Sequence, residues 1–310
     1  MLPSMLLAAV AAVLCPGQVV LVDVPTARVI GRIALPGKGV ALFAAPDGRL
    51  LVPLEDADAT LVLQRTGVVE RWRGRLFPLF FDQPDHMHVL LPDLLLTLSY
   101  PERLPLTRIP IAGLGAAQRA AVTRDGRVVA IVPAASGAAS LVIAVATEGG
   151  SAARVALGGD ARLLALAEDG ALAVVVTGQG QLEIAVAGEN RSLGKRSLAG
   201  TVTALAMTGR RELVVGVAGG GGDALVGMKV DPRARLPLKP RFRTPLPAAP
   251  TAFAVTQDEV LAIAADQLII LVKRGRRVRQ ALPASGAFDV VLLPERPASS
   301  VPAWSDATPH

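Results

Sequence analysis

The apolar residues of this chain fall into short runs that are separated by turns containing Gly, Pro or Asp. Such runs are typical of buried β-strands. Between Arg119 and Gly159, an Asp-Gly turn separates two of these runs, which is a strong signal for a hairpin. This stretch therefore predicts four antiparallel strands, which we place at Ala120–Val122, Arg127–Val132, Ser140–Thr147 and Ser151–Leu157.

This four-strand unit recurs along most of the chain. The turn between its first and second strands is expected at Asp47, Asp85, Asp125, Asp169, Arg210, Asp258 and Glu295. The spacing of these turns averages about 41 residues, and a four-strand period of ~40–45 residues is typical of propeller blades. The repeat thus predicts an all-β propeller built from four-stranded blades.

The first and last segments of the chain together supply the four strands of one further unit. Ala287–Leu293 has the features of a lone first strand, and Met5–Leu35 contains strands two to four of a unit. Together they would form one split blade, which joins six continuous blades in a seven-bladed propeller. We expect one propeller domain over residues 1–295, followed by a flexible Pro/Ser/Ala-rich tail over residues 296–310.

The apolar run Met5–Leu14 has two interpretations. It resembles the apolar part of a signal peptide, with Ala9-Val10-Ala11 as a cleavage site, but no Lys or Arg precedes it. We interpret it as a blade strand, which favours a soluble cytoplasmic protein, while export by a signal peptide is the alternative. No apolar run reaches the ~20 residues that a membrane-spanning helix needs, and we expect a monomer.

The chain is basic, with a formal net charge of +6 and a pI near 10.2. Many Arg and Lys residues lie in or beside the predicted outermost strands, including Arg71, Arg241 and Arg277. Charged residues on an exposed edge strand discourage β-strand pairing with other molecules. This structural role explains much of the excess of Arg and Lys. A docking module for an anionic surface is the alternative. Nucleic acid is an unlikely partner, because aromatic residues make up only 3% of the chain and no nucleic-acid motif is present.

Three segments resemble the repeats of bacterial YVTN-type β-propellers, a WD-like superfamily. They are PDGRLLVPLEDADATLVLQ, RDGRVVAIVPAASGAASLVIAV and EDGALAVVVTGQGQLEIAV. The resemblance extends over Met5–Leu293, but the Gly-His and Trp-Asp marks of true WD repeats are missing, and the unit Leu76–Ile111 departs most from the pattern. It implies the propeller fold and leaves the function open, since the superfamily includes lactonases, quinoprotein relatives and binding proteins.

The candidates for metal binding in the sequence are weak. His86 and His88 alternate at the start of a strand and would face the same side, near Asp82 and Asp85. Two histidines without a third nitrogen or sulfur ligand are more typical of ordinary turn and strand residues. The glycine run Gly219–Gly222 lacks the Gly-Lys-Ser/Thr ending of a phosphate loop and is expected to be a flexible connection.

The resemblance also implies where a ligand would bind. In related propellers, ligands meet the face formed by the loops between strands two and three and the loops between blades. Acidic residues fall in these loops at Glu55, Asp56, Asp58, Asp93, Asp160, Asp223 and Asp266. Clustered carboxylates favour a cation or a cationic group, so Ca²⁺ is a possible ligand. Alternatively, these side chains cap nearby backbone N–H groups, as Asp commonly does in loops.

The sequence predicts a non-catalytic binding or scaffold propeller whose ligand is a protein or a small molecule. No residues with a catalytic motif converge in the sequence, so we assign no catalytic residue and no cofactor. The first alternative is a propeller enzyme of lactonase or quinoprotein-like type, acting at the mouth of the central tunnel. The second is the basic docking module. Lone Cys15 excludes an intramolecular disulfide.

Overall fold

The fold is seen in a computed structural model of the 310-residue chain. The structure describes residues 10–293, except 77–78, 92–93, 111–116, 123–127, 134–139, 146–151, 168–170, 179, 187–191, 209–211, 232, 235–236, 257–258 and 273–274. The predicted tail over residues 296–310 lies outside this part, as do the Asp-Gly turns at Asp125 and Asp169. Within the described part, no helix is long and apolar enough to cross a membrane.

The secondary structure of the described residues consists of short strands. In chain order they are β1 (Val10–Cys15), β2 (Gln18–Asp23), β3 (Arg28–Ala34), β4 (Phe43–Ala44), β5 (Leu50–Pro53), β6 (Ala59–Gln64), β7 (Gly67–Arg73), β8 (Leu79–Gln83), β9 (His86–Leu91), β10 (Leu94–Ser99), β11 (Pro105–Pro110), β12 (Ala117–Val122), β13 (Val128–Pro133), β14 (Ser140–Val145), β15 (Ala152–Ala156), β16 (Ala161–Leu166), β17 (Leu172–Thr177), β18 (Gln181–Val186), β19 (Ser192–Ser197), β20 (Thr201–Met207), β21 (Glu212–Ala218), β22 (Ala224–Val230), β23 (Leu238–Pro245), β24 (Ala252–Val255), β25 (Val260–Ala264), β26 (Gln267–Val272), β27 (Arg277–Pro283) and β28 (Asp289–Leu292).

These strands form seven four-stranded antiparallel sheets. Six sheets contain four consecutive strands each, namely β4–β7, β8–β11, β12–β15, β16–β19, β20–β23 and β24–β27, and the seventh has the order β28-β1-β2-β3. The first strands of neighbouring sheets contact one another, as β16 contacts β20 and β28 contacts β4. The first strands are therefore innermost and the fourth strands outermost, so the predicted all-β propeller is confirmed.

The seventh sheet joins the two ends of the described chain. Ala11 of β1 pairs with Leu292 of β28, and Leu14 pairs with Asp289. The last strand is shorter than predicted, because β28 covers Asp289–Leu292. The Ala287 N–H donates to the Ala284 carbonyl in a turn, so the last strand begins at Asp289 rather than Ala287. Residues 5–9 of the predicted second strand lie outside the described part, and β1 begins at Val10.

The hydrophobic core lies between the sheets. In β17 every residue is buried, because alternate side chains face the two neighbouring sheets. Val174 packs with Val215 of the next sheet, while Val175 packs with Val155 of the preceding one. Fully burying one such aliphatic side chain contributes about 1.5–3 kcal/mol. The inner and middle strands are therefore apolar on both faces, whereas the outermost strands carry the exposed polar residues.

The outermost strands share a feature that the sequence did not reveal. In six sheets the pairing between the third and fourth strands shifts by one residue, which leaves a bulge in the fourth strand. The extra residues are Ile30, Val69, Leu106, Leu193, Arg241 and Arg279. A bulge interrupts the row of free backbone groups, so these edges are protected from pairing with other molecules by geometry as well as by charge.

Candidate ligand-binding site

A polar cleft of about 770 Å³ lies over the sheet β16–β19. Its walls come from the β15–β16, β17–β18 and β19–β20 connections. These connections lie on the face where the sequence placed a ligand site, because they join strands two and three or link successive sheets. The lining residues are Gly158, Gly159, Asp160, Arg162, Thr177, Gly178, Gly180, Gln181, Ser197, Leu198 and Gly200.

Arg162 enters this cleft from a β-bulge in the innermost strand. Ala161 pairs with Thr177 and Leu163 pairs with Val176, so Arg162 is an extra residue in β16. Such a bulge re-aims a side chain. Arg162 is exposed, and no described carboxylate forms an ion pair with it. The cleft thus contains one guanidinium group whose charge is available to a ligand.

One wall of the cleft consists of backbone rather than side chains. A Cβ atom on Gly180 would lie 2.4 Å from the Gly200 carbonyl oxygen. A Cβ atom on Gly200 would in turn lie 2.4 Å from the Ala218 carbonyl oxygen, and the φ angle of Gly200 is +110°. Only glycine permits so close an approach together with this φ angle. Because no side chains fill this wall, a ligand can reach backbone groups directly.

Another wall is held by a buried carboxylate. Glu183 lies in the middle of β18 and its side chain is 0% exposed. Its two oxygens each accept a hydrogen bond from the Gly158 N–H at 3.0 Å, and Oε1 accepts one from Thr177 Oγ1 at 2.8 Å. Lys195 Nζ lies 3.5 Å from Oε1. Glu183 therefore fixes the loop that leads to Asp160 and Arg162.

The surroundings of Glu183 keep it ionised. Burial by itself would raise the pKa of this carboxyl group. Hydrogen bonds from the Gly158 N–H, Thr177 and Ser192, together with the charge of Lys195, outweigh burial and hold the pKa below its usual value. At neutral pH the group is consequently an acceptor and a structural anion rather than a proton donor.

The predicted acidic residues occupy several different loops. Asp160 lies in the cleft, and Asp93 lies outside the described residues. Asp58 accepts a hydrogen bond from the Arg75 N–H at 2.9 Å, Asp223 from the Gly219 N–H at 3.0 Å, and Asp266 from the Gly286 N–H at 2.8 Å. These bonds support the capping alternative.

The other two predicted acidic residues lie in one exposed loop beside Lys38. Glu55 forms an ion pair with Lys38, and the charge of exposed Asp56 acts on the same ammonium group. In the part of the chain that the structure describes, no three His, Cys, Asp or Glu side chains group as metal ligands. Cation binding at this face stays a prediction.

The two histidines lie in β9, as predicted, but in different surroundings. His88 is buried, and its Nδ1 lies 3.0 Å from the Thr97 hydroxyl. His86 is half-buried, with Nε2 4.0 Å from Asp85 Oδ1. The Asp82 side chain lies outside the described part. These contacts are those of ordinary strand histidines.

Sequence reasoning missed Arg162 and Glu183. For Glu183 a signal existed, because one acidic residue stands among apolar residues in Gln181–Val186, and a buried charge requires partners. For Arg162 no such signal existed, since the bulge depends on how β16 and β17 align.

No family model and no curated protein matches the chain. The YVTN-type resemblance therefore stays a prediction. Solved structures do match over most of the chain. One is a candidate 6-phosphogluconolactonase from Bacteroides uniformis, with 11% identity, a TM-score of 0.69 and coverage of 92% of this chain and 100% of that one.

Two further solved structures also match most of the chain. The periplasmic gluconolactonase of Pseudomonas aeruginosa has 18% identity, a TM-score of 0.67 and coverage of 93% and 99%. The Swd1 β-propeller domain of Myceliophteria thermophila has 13% identity, a TM-score of 0.62 and coverage of 80% and 86%. At these identities the likeness concerns the fold alone, and it identifies the chain as a β-propeller.

Proposed function

We propose that this protein is a non-catalytic binding propeller whose seven sheets are the blades of one ring. Its cleft over the sheet β16–β19 binds a small polar ligand that carries an anionic group. The cleft volume of about 770 Å³ lies within the ~300–1,000 Å³ typical of small-molecule sites. The observation that carries the proposal is the exposed guanidinium group of Arg162, which a β-bulge presents without an ion-pair partner among the described residues.

The chemistry of the lining supports an anionic, hydroxyl-bearing ligand. A guanidinium group binds carboxylate or phosphate through two parallel hydrogen bonds. Gln181 and Ser197 add side chains that donate and accept hydrogen bonds, and Asp160 accepts them from hydroxyl groups. The glycine wall leaves backbone N–H and C=O groups within reach of the same ligand.

The test is a thermal-shift and calorimetric screen with small organic acids, sugar acids and sugar phosphates. We expect at least one of these compounds to raise the melting temperature, and the Arg162→Gln variant to lose that shift. Arg71→Gln is the matched control, because it removes the same charge from an exposed site on β7. Equal ligand shifts in wild type and Arg162→Gln would refute the assignment of Arg162.

Hydrolysis of a sugar lactone is the second candidate function. Two of the similar structures described above are named as gluconolactonases or 6-phosphogluconolactonases. In this chain Asp160 and Arg162 lie in one cleft. A carboxylate there can activate a water molecule, and a guanidinium group can stabilise the oxyanion that forms. Turnover of glucono-δ-lactone that Asp160→Asn abolishes would establish this function. Absence of turnover, with ligand binding intact, would leave the binding function alone. The quinoprotein alternative has no support among the described residues.

A further inference from the structure

The outermost strands β23 and β27 carry a dense band of exposed basic side chains. We define the basic rim as Lys239, Arg241, Arg243, Arg276, Arg277 and Arg279, all of which are exposed. Every second residue of β23 from Lys239 to Arg243 is a cation, and so is every second residue from Arg277 to Arg279. No acidic residue interrupts either strand.

Contacts between the two sheets link β23 to the turn that precedes β27. The Arg276 guanidinium lies over the Phe242 ring of β23, 5.3 Å from its centroid. Thr244 of β23 donates a hydrogen bond to the Gly275 carbonyl at 2.7 Å. The seam between the two sheets is therefore fixed at two points.

Most of this charge is not neutralised within the protein. Arg279 forms an ion pair with Glu259 at 2.7 Å, and Arg243 donates to the Gly222 carbonyl at 2.5 Å. Lys239, Arg241, Arg276 and Arg277 form no ion pair with a carboxylate among the described residues. Four cations of the rim are thus available to an external anion.

A bulge brings two of these cations to one crevice. Arg241 is the extra residue of β23, and it lines a narrow crevice at the seam with Phe242 and Arg276. Glu212 is the carboxylate that lines the same crevice. The crevice holds only about 20 Å³, so it admits a single small group of a partner rather than a whole ligand.

We propose that the basic rim binds an extended acidic segment of a partner protein. An acidic segment is complementary in charge to the four rim cations that form no ion pair with a described carboxylate. Arg clusters are the usual means of recognising acidic motifs. Recognition is through side chains, because Pro240, Pro245 and the bulge at Arg241 interrupt the backbone edge that strand addition needs.

Two other classes of anion fit this surface less well. Single-stranded nucleic acid binding relies on exposed aromatic rings, and Phe242, the aromatic residue of these two strands, is covered by Arg276. A lipid bilayer is flat, whereas the rim cations are divided between two separate sheets. This surface is separate from the cleft and goes beyond the proposed function.

The test is fluorescence anisotropy of the full chain with a labelled peptide in which Glu and Thr alternate. We expect binding that weakens as salt is raised, since the contacts are between charges. Lys239→Glu with Arg277→Glu should weaken binding at least about tenfold. Both side chains are exposed and in no ion pair with described residues, so the fold should be retained. Arg241→Gln with Arg276→Gln tests the crevice separately.

The matched control is Arg71→Glu with Arg73→Glu, which makes the same charge change on the exposed outer strand β7. Undiminished peptide binding by this control supports the proposal. If the control loses peptide binding to the same extent, the peptide responds only to the net charge of the protein, and the proposal is overturned. Tighter binding of duplex DNA, or of vesicles of phosphatidylcholine with phosphatidylserine, would also overturn it, as would absence of peptide binding at low salt.

Discussion

Asp289 Oδ2 accepts a hydrogen bond from the Leu42 N–H at 2.8 Å, although the two residues are 247 positions apart in the sequence. Asp289 belongs to the last described strand, and Leu42 leads into the innermost strand of the next sheet, β4–β7. The bond therefore joins the sheet β28-β1-β2-β3 to the neighbouring sheet β4–β7.

Replacing Asp289 tests this junction. Asp289→Ala leaves the N–H of buried Leu42 without its acceptor, and we expect a loss of about 1–3 kcal/mol in the free energy of unfolding. Asp289→Asn keeps an acceptor oxygen and should lose less. Urea unfolding curves measure both, and Asp56→Ala, at an exposed loop position, is the control. Equal midpoints for Asp289→Ala and the control would show that the bond does not stabilise the ring.

The Glu183 carboxylate should make stability depend on pH. Its pKa in the folded protein is lowered, so its contribution is present above the unfolded value of about 4.5 and is lost as the pH falls through the folded pKa. We expect Glu183→Gln to lower the melting temperature at pH 7, and the difference from wild type to shrink as the pH falls below that unfolded value. Glu102→Gln, at an exposed position, should show no such trend. A difference that grows towards acid pH would contradict this assignment.

The glycine wall predicts different costs at two glycines. Gly200→Ala places a Cβ atom 2.4 Å from a backbone oxygen at a φ angle of +110°, so we expect more than about 2 kcal/mol of destabilisation and a weaker response to any ligand of the cleft. Gly178→Ala is the matched control. It also has a positive φ angle, +59°, but nothing lies within 4 Å of its added Cβ. It should cost only about 1 kcal/mol. Similar losses at both sites would argue against close backbone packing in this wall.

Tyr100 is the single tyrosine of the chain, so its ionisation can be followed directly. Its hydroxyl donates to Asp47 at 2.9 and 3.1 Å. Burial raises the pKa of the phenol, and the negative charge of Asp47 raises it further, although Arg49 acts in the opposite direction. Absorbance at ~295 nm should show no phenolate near the ordinary pKa of about 10. The signal should appear there once denaturant unfolds the chain, and a native midpoint near 10 would contradict the described contacts.

Cys15 should report whether the split blade is closed. It is the single cysteine, it is buried in β1, and burial raises the pKa of its thiol against the opposing charge of Arg32. We expect slow reaction with a disulfide reagent in a chain ending at Leu293 and fast reaction in a chain ending at Gly286, which lacks β28. The same slow rate in both chains would show that β28 does not protect this sheet.

The periodic part of the fold could be predicted from the sequence because burial dictates it. Strands such as β17 must be apolar throughout, since sheets cover both of their faces, and Gly and Asp must occupy the tight turns. The split blade followed from the same count, because Ala287–Leu293 lacked a partner unit and the first unit lacked a first strand.

The site depends on features that no local pattern encodes. Whether Arg162 lies in the regular ladder or in a bulge is decided by one shift between Ala161 and Leu163. The need for glycine at position 200 comes from the carbonyl oxygen of Ala218, which only the pairing of β20 with β21 brings close. For the acidic residues both interpretations came from the sequence: Asp58, Asp223 and Asp266 accept hydrogen bonds from backbone N–H groups, as the capping alternative expects, and cation binding stays a prediction.

The order in which the strands are synthesised has a consequence for the newborn protein. β1 is synthesised about 275 residues before its partner β28, an interval of roughly 15–55 s at ~5–20 residues per second. During that interval the apolar edge Ala11–Leu14 has a free row of backbone donors and acceptors. Neighbouring nascent chains on one polysome would present the same edge, so pairing between chains competes with formation of the sheet β28-β1-β2-β3.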